Sequence, residues 1–533
     1  MRFSNLLLFT AGYSLAHCQS TFEVPEFNVT DAFLDLGVNV SAIPALAPLA
    51  ERSSLSGCSI ACGSLQLLFN GQLIRQSTAA YQNFTGSYWS QQQEEVDPYC
   101  IFQPTTPEQV SIQILLSRLT QCPFAIKSGG HAAFAGASSI QGGITLSLQN
   151  FNQITPSSDK SSAVIGPGNR WHDVYVALQP KDIVVIGGRV SAIGVGGLTL
   201  GGGISFFSNL YGWACDNVIE YEVVTASGII LNVNQKTYPD LYWALRGGGN
   251  NFGVVTAFKV NTIPLPQGQM WGGSRVSLNT SGEFPQLIKA FYDLGTTGAT
   301  SDPNAAQILS FTSYQGLNLA SAALEYAKPV SNPPIFNEYF AVPTISDTTS
   351  VRTLASITDE FAASNPDGRR EQYWAVAYKL TIPMTTFVTN VFYEELPTVV
   401  NASGIVPAAT LQVITNPQIA AMQKNGRNPL GLTPGEGPLL LLNMNVQWDS
   451  AADDARITAF NNRIIQRTVE YAKQNGLYNE YLYMNYASQY QDVIASYGAA
   501  NKARLISIAK EYDPTGVFQE LNPGYFKLDG PPA

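Results

Sequence analysis

Two patterns of apolar and polar positions divide the chain. Up to about residue 266, short apolar runs end in glycine-rich turns, whereas residues 267–474 alternate strands with amphipathic helices and contain few such turns. The run at 440–448 predicts a strand, because the amides Asn443, Asn445 and Gln447 fall on one face and apolar side chains on the other. An uncharged amide face is typical of a ligand-lined cavity and equally of a solvated sheet face, and both interpretations stay open.

A helix and a buried strand are predicted in succession before the first glycine-rich turn. The helix covers about residues 107–119, because Thr106 can cap it, Pro107 suits its first turn and Gln109 stands three residues after the cap. Residues 124–127 are apolar up to a lysine and form a short buried strand. The glycine-rich turn that follows is therefore expected to begin directly at the end of a buried strand.

Ser128, Gly129, Gly130 and His131 follow that strand directly. Glycine permits positive φ and a close approach of the backbone to a ligand, and successive N–H groups form a nest that suits a pyrophosphate. The chain has only 3 histidines, which argues against a Ser-His-Asp triad and against a histidine-rich metal site. We therefore predict no bound metal. The alternative interpretation of His131 is a hydrogen-bonded structural histidine.

Residues 194–203, GVGGLTLGGG, form a second glycine cluster. The spacing G-x-G-x-x-G of a Rossmann fingerprint is absent, and there is no Walker A pattern. Glycine at this density predicts backbone lying against a large or flat group, with a purely structural loop as the alternative.

Composition narrows the classes of partner. The 533 residues exceed what one hydrophobic core usually serves, so we expect two domains. A net charge of −10, without any basic run, argues against nucleic acid and anionic membranes as partners.

The N-terminus predicts a secretory signal peptide at residues 1–18. Arg2 precedes an apolar stretch at 6–15 that is too short to span a bilayer, and Ala16 stands near a cleavage site. Glycosylation acceptors of the type N-x-S/T support secretion and stand at Asn28, Asn39, Asn83, Asn279 and Asn401.

An oxidising compartment favours two disulfides among the four cysteines that precede the His131 turn: Cys58, Cys62, Cys100 and Cys122. Their pairing stays open among three connectivities, and a zinc site lacks neighbouring histidines. Cys215 is left over and is predicted to be a buried free thiol.

Several motifs together resemble the fungal berberine-bridge-enzyme-like FAD-linked oxidoreductases of the vanillyl-alcohol-oxidase superfamily, which carry a PCMH-type FAD-binding domain. The resemblance covers nearly the whole chain after residue 18. It rests on the segments 127–131 (KSGGH), 166–171 (GPGNRW), 194–203, 211–217 (YGWACDN), 240–249 (DLYWALRGGG), 251–256 (NFGVVT), 485–487 (NYA) and 512–514 (YDP).

The resemblance implies an α+β fold. An FAD-binding domain is expected from residues 19–93 and a PCMH-type core at 94–266. Residues 267–474 would form an α/β substrate domain whose antiparallel sheet covers the flavin, and residues 475–533 would return to the FAD domain.

The resemblance also implies site residues. His131 would carry the flavin covalently, and the position of a second, cysteine-borne link is occupied by Val190, so a single link is expected. Gly188 would stand where relatives gate oxygen. The expected cofactor-binding residues are Ser128, Gly129, Gly130, His131, Gly136, Ala137, Ser138, Gly188, Gly196, Gly197, Gly201, Gly202, Asn217, Gly253, Val255 and Asn485.

The catalytic base is expected to be Tyr486, with Asn443 and Tyr483 as further catalytic residues and Tyr378 as another alternative. A tyrosine base needs neighbours that lower its pKa. Relatives with a glutamate base carry it on the strand that matches 440–448, where this chain has amides instead, so glutamate-type catalysis is not expected.

The resulting prediction is a secreted, glycosylated and monomeric FAD oxidase. It would move a hydride from an alcohol or oxidisable ring of a small molecule, such as a secondary metabolite, to the flavin and then to O2, giving H2O2. An oligosaccharide oxidase is the alternative within the enzyme class. A secreted flavin-containing protein that binds a partner without turnover is the alternative from another class.

Overall fold

The computed structural model describes residues 22–23, 27–43 and 57–532, so the predicted signal peptide at 1–18 lies outside the described residues. The fold mixes helices with three sheets, as the expected α+β class requires. The helices are α1 Val29–Asp35, α2 Gly57–Leu68, α3 Ala79–Thr85, α4 Gln91–Glu94, α5 Pro107–Thr120, α6 Trp171–Leu178, α7 Val195–Leu200, α8 Ser208–Tyr211, α9 Pro239–Leu245, α10 Glu283–Asp293, α11 Ala299–Ser301, α12 Asn337–Phe340, α13 Leu354–Ala363, α14 Ile382–Glu395, α15 Asn416–Ala421, α16 Asp454–Gln474 and α17 Ala499–Tyr512.

The first sheet delivers the chain to the His131 turn. Its order is β1-β2-β4-β3, with β2 and β3 parallel to the central β4, and its strands are β1 Leu73–Arg75, β2 Cys100–Phe102, β3 Phe124–Lys127 and β4 Ile144–Ser147. The predicted cap of α5 is confirmed, because the Thr106 hydroxyl accepts a hydrogen bond from the Gln109 N–H at 3.5 Å. The disulfides pair Cys58 with Cys122 and Cys62 with Cys100, so α2 is tied to the segment before β3 and to β2.

The second sheet is antiparallel, in the order β5-β6-β10-β8-β9, and β7 pairs with the far end of β10. Its strands are β5 Ile154–Pro156, β6 Ser162–Ile165, β7 Ile183–Val185, β8 Val218–Val224, β9 Ile230–Asn234 and β10 Val254–Pro264. The residues just before the expected domain boundary at 266 still belong to this sheet, because Thr262 and Ile263 of β10 pair with Val185 and Val184. The chain passes to the third sheet only after Pro266.

The third sheet is a large antiparallel layer in the order β14-β11-β13-β12-β17-β18-β16-β19, and β15 also pairs with β11. Its strands are β11 Gln269–Leu278, β12 Ala305–Tyr314, β13 Leu317–Tyr326, β14 Ser346–Asp347, β15 Ser350–Thr353, β16 Arg370–Lys379, β17 Val406–Ile414, β18 Leu439–Trp448 and β19 Tyr478–Asn479.

The two faces of the third sheet bury different partners. On β18, Leu440, Leu442 and Met444 pack with helices α10, α14 and α16 in one core. Leu439 and Leu441 point the other way, into the core formed with the second sheet and the C-terminal segment. This alternation turns Asn443, Asn445 and Gln447 toward the first half of the chain.

The C-terminal segment packs back onto residues 239–249. The Tyr512 hydroxyl donates to Asp240 Oδ1 at 3.0 Å, and the Tyr497 hydroxyl donates to the Gly247 carbonyl at 3.0 Å. No helix in the described residues is long and apolar enough to cross a membrane.

Candidate functional site

Two glycine-rich turns meet backbone to backbone at the end of β3. A Cβ on Gly129 would lie 2.5 Å from the Gly194 nitrogen, so only glycine permits this contact. Ser128 fastens the same junction, since its hydroxyl donates to the Pro167 carbonyl at 2.5 Å and accepts from the Gly196 N–H at 3.1 Å. The predicted turn is therefore fixed in place by the second glycine cluster.

His131 stands at the rim of this junction with one ring nitrogen free. Its Nε2 is buried and has no hydrogen-bond partner among the described residues, and Trp89 stacks on the imidazole with ring centroids 4.1 Å apart. Burial lowers the pKa of His131 to about 4. The ring is therefore neutral at neutral pH and keeps a nucleophilic lone pair, which fits a covalent attachment point better than a fully hydrogen-bonded structural histidine.

A cavity of about 500 Å³ opens in front of this turn, within the size range of small-molecule and cofactor sites. The glycine-rich turns form one wall and the third sheet forms the other. Fourteen of the expected site residues line it: Ser128, Gly129, Gly130, His131, Ala137, Ser138, Gly196, Gly197, Gly253, Val255, Asn443, Tyr483, Asn485 and Tyr486.

The other expected residues, Gly136, Gly188, Gly201, Gly202 and Asn217, do not line the cavity. A Cβ on Gly188, Gly201 or Gly202 would lie against the side chain of Trp171, Asn485 or Trp213, respectively. The Asn217 amide donates to two backbone carbonyls of the preceding turn. Close packing thus explains why three of these positions are glycine, and hydrogen bonding explains the asparagine at position 217. Of the five, only Gly136 has open space where a Cβ would lie.

Tyr486 is held by two donors at the cavity surface. Arg189 Nη2 donates to its hydroxyl oxygen at 2.6 Å, and Gln412 Nε2 donates to the same oxygen at 3.1 Å. Arg189 Nη2 also donates to Gln412 Oε1 at 2.6 Å, which closes a triangle of hydrogen bonds. Because both donors occupy lone pairs of the phenol oxygen, its own proton is left to point elsewhere.

The other tyrosines are less suited to proton transfer. The Tyr483 hydroxyl oxygen accepts from the N–H groups of Gly203 and Ile204, and burial raises the pKa of Tyr483. Tyr378 lies on the opposite face of the sheet, where its hydroxyl donates to Thr468 at 2.7 Å. Tyr378 therefore does not reach the cavity, and the alternative that made it the base is wrong.

Sequence reasoning missed Arg189 and Gln412. Arg189 directly precedes Val190, which also lines the cavity and carries no sulfur. The available signal was a lone arginine inside a glycine-rich turn. Gln412 gave no signal, because it stands 74 residues from Tyr486 in sequence.

The residues present fit a flavin. Bare backbone faces the cavity at Gly197, where an added Cβ would meet nothing within 4 Å, and the unpaired Nε2 of His131 offers an attachment atom. Neutral amides and hydroxyls cover the sheet side, and a flavin ring could lie between these two walls.

Comparisons with known proteins bear on this interpretation. Residues 98–234 match the family described as "FAD binding domain". A curated protein named FAD-dependent monooxygenase FUP4, from Fusarium proliferatum, is 35% identical over 509 residues, which cover 91% of this chain and 98% of that protein. The chain belongs to the berberine-bridge-enzyme-like family of FAD-linked oxidoreductases.

Solved structures show the same fold for this berberine-bridge-enzyme-like protein. The 6-hydroxy-D-nicotine oxidase of Arthrobacter nicotinovorans is 20% identical with a TM-score of 0.73, over 86% of this chain and 98% of that one. Berberine bridge enzyme from Eschscholzia californica is 17% identical with a TM-score of 0.69, over 86% and 97% of the respective chains. FAD is the cofactor of this family, and this protein is an FAD-dependent oxidoreductase.

Proposed function

We propose that this protein oxidises an alcohol carbon of a small molecule, with Tyr486 as the base, a single covalent flavin link through His131 and O2 as the electron acceptor. The observation that carries the proposal is the hydrogen-bonded triangle of Arg189, Gln412 and Tyr486, which lies in the same cavity as His131. Bound FAD supplies the acceptor for the hydride that leaves the substrate carbon.

The triangle fixes the Tyr486 oxygen at the cavity surface, where a base is needed. A guanidinium at 2.6 Å stabilises negative charge on the phenol oxygen, and Gln412 adds a second donor. When the proton of Tyr486 has passed to solvent, the remaining lone pair of the phenolate can accept the proton of a substrate hydroxyl, while the adjacent carbon gives up a hydride to bound FAD and becomes a carbonyl. Arg189 and Gln412 hold the oxygen in place during this transfer.

The chemistry of the neighbouring residues supports a single flavin link. His131 is neutral and has a free nitrogen, whereas Val190 offers no nucleophile. Cys215 is buried away from the cavity lining, and burial raises the pKa of its thiol. The thiolate that a second link needs is therefore disfavoured.

Secretion as a glycosylated monomer belongs to the same proposal. The two disulfides fit an oxidising compartment. The five asparagines that carry the acceptor pattern, Asn28, Asn39, Asn83, Asn279 and Asn401, are all exposed.

A second candidate function is oxygen insertion, because the relative from Fusarium proliferatum is named a monooxygenase. Both candidates use the same cavity and cofactor and differ in the fate of O2. An oxidase returns it as H2O2, whereas a monooxygenase leaves one oxygen atom in the product. An oligosaccharide oxidase would use the same cavity, whose lining includes aromatic side chains such as Tyr373 and Tyr525.

Anaerobic mixing of the purified holoprotein with aromatic and allylic alcohols, and with cellobiose as the sugar, tests the proposal. We expect an alcohol to bleach the flavin absorbance, and one H2O2 to form per substrate when O2 is admitted. Label from ¹⁸O2 in the product would instead identify a monooxygenase. Bleaching by cellobiose alone would favour the sugar oxidase, and no bleaching by any compound would contradict the proposed oxidation.

A further inference from the structure

The cavity face of β18 carries a row of three amides, Asn443, Asn445 and Gln447, which we call the amide row. All three line the large cavity. Within the described part of the chain, the Oδ1 atoms of Asn443 and Asn445 are buried without a hydrogen-bond partner, and Gln447 is only 5% exposed. Buried polar atoms nearly always have partners, so these two unpaired oxygens on one strand are available to accept hydrogen bonds from a ligand or from water.

The strand register orients the row relative to the proposed base. Gln412, which holds Tyr486, lies opposite Leu441 on β18, whereas Asn443 lies opposite Thr410 and Asn445 opposite Ala408. The row therefore begins beside the triangle and leads away from it. At about 3.3 Å per residue, Asn443 and Gln447 are about 13 Å apart along the strand.

In the large cavity, formal charge is confined to the start of the row. Among the described residues that line this cavity, Arg189 is the only charged one, since there is no aspartate, glutamate or lysine and His131 is neutral. A primary amide both donates and accepts hydrogen bonds. The row therefore suits hydroxyl and carbonyl groups rather than a carboxylate or an ammonium group.

A second, smaller cavity of about 110 Å³ lies near the far end of the row and shares Ala133, Phe134 and Tyr373 with the large one. Glu371 lines this cavity and lies directly opposite Gln447 on β16. Both carboxyl oxygens of Glu371 are buried without partners in the described structure, and burial raises the pKa of Glu371 well above its usual value. Burial thus disfavours a charge on Glu371, and Asp454, which also lines this cavity, is neutralised by its ion pair with Arg370 at 2.6 Å.

We propose that the amide row is a specificity site that binds uncharged oxygen substituents of the substrate, up to about 13 Å beyond the carbon that is oxidised. The inference rests on the proposed function, since it places the oxidised carbon beside Tyr486. It names the substrate class as a neutral, elongated alcohol that carries hydroxyl or carbonyl groups away from the reacting end.

Two probes that differ by one hydroxyl test the row. 2-Naphthalenemethanol and 6-hydroxy-2-naphthalenemethanol share the reacting alcohol, and only the second has an oxygen at the far end of the rings. We expect the holoprotein to bind the hydroxylated compound about 5 to 10 times more tightly by calorimetry, since a neutral hydrogen bond typically contributes a factor of this size. Asn445→Leu and Gln447→Leu together should reduce the preference to about twofold or less.

The exposed Asn475, whose amide donates to the Tyr471 carbonyl, gives a matched control, and Asn475→Leu should keep the full preference. Should the leucine variants fail to fold, Asn445→Ser and Gln447→Ser remove the same amides with less apolar bulk. An absent preference in the unaltered protein, or one that survives in the row variants, would overturn the proposal. Flavin bleaching is recorded separately. Selective binding without bleaching would refute the proposed oxidation but support the amide row as a binding site. Equal binding of both probes with bleaching would refute the amide row but support the proposed oxidation.

Discussion

The two walls of the cavity are built in different ways. The cofactor wall, formed by residues 128–131 and 194–203, presents backbone and keeps side chains away, as in the contact of Gly129 with Gly194. The sheet wall presents side chains at every second position of its strands, and the amide row is an example. Backbone recognises a group that stays the same at every turnover, while side chains can be exchanged one at a time to fit another substrate.

This contrast explains why the walls differ in predictability. A cluster of glycines is easily recognised in a sequence, because few positions need glycine. The sequence therefore predicted closely approaching backbone at residues 128–131 and 194–203. The polar face of β18 was also predicted, since alternation is local, but two interpretations remained open. The structure places that face in the cavity instead of in solvent.

The largest expected effect concerns the cofactor wall. His131→Ala removes the only nitrogen proposed to hold the flavin, so the acid-precipitated protein should lose its yellow colour almost completely. His172→Ala is the control, because His172 is half-exposed and bonded to Asp359 at 2.9 Å, and this variant should precipitate yellow. A yellow pellet from His131→Ala would mean that another residue carries the link.

On the sheet side, Tyr486→Phe should lower turnover of a reactive alcohol by about 10²- to 10⁴-fold, the usual contribution of a positioned base. The matched control is Tyr378→Phe, which removes the same atom from the opposite face of the sheet. Stopped-flow measurement of flavin bleaching separates this step from the reaction with O2. Similar rates in the two variants would exclude Tyr486 as the base.

Arg189 reaches the sheet wall from the first half of the chain, since it follows the Gly187-Gly188 turn and its guanidinium donates to the sheet residue Gln412. Arg189→Met should slow bleaching by about 10- to 100-fold, because a hydrogen bond from a charged donor is lost. Arg189→Lys keeps the charge and should recover part of the rate. If lysine and methionine behave alike, the charge has no role and only the shape of the guanidinium matters.

The smallest effect concerns the support behind the cofactor wall. Lys527 Nζ donates to Asn250 Oδ1 at 3.1 Å and to the Phe518 carbonyl at 3.0 Å, and burial lowers the pKa of Lys527 to about 7 from 10.5. The unfolded chain therefore binds this proton more tightly, so the lysine destabilises the fold most below pH 7 and least near pH 10.5.

Lys527→Met should accordingly raise the free energy of unfolding on the order of 2 kcal/mol at pH 6.5, and the gain should vanish toward pH 10. Denaturant unfolding of the holoprotein at both pH values measures this difference. The exposed Lys510→Met variant serves as the control. An equal gain at both pH values would show that packing, and not proton binding, is responsible.

Contacts between distant segments were beyond sequence reasoning. In the triangle, Gln412 is separated from Arg189 by 223 positions in the sequence, and Tyr486 is separated from it by 297. No local sequence pattern predicts contacts over such separations. The disulfide pairing is similar, because α2 presents Cys58 and Cys62 one turn apart and only the packing of α2 decides which partner each meets. Conversely, the α5 cap and the β3 strand depend on neighbours in sequence and were predicted within one residue.

The stacking of Trp89 on His131 has an optical consequence. An indole whose ring centroid is 4.1 Å from that of the His131 imidazole lies close enough to a flavin attached there to pass its excitation energy to it. We expect the ultraviolet emission of Trp89 to be dark in the loaded protein and bright when the flavin is missing. The intensity of Trp89 fluorescence would thus report how much of the protein has bound flavin, and it could be followed during maturation without an added dye.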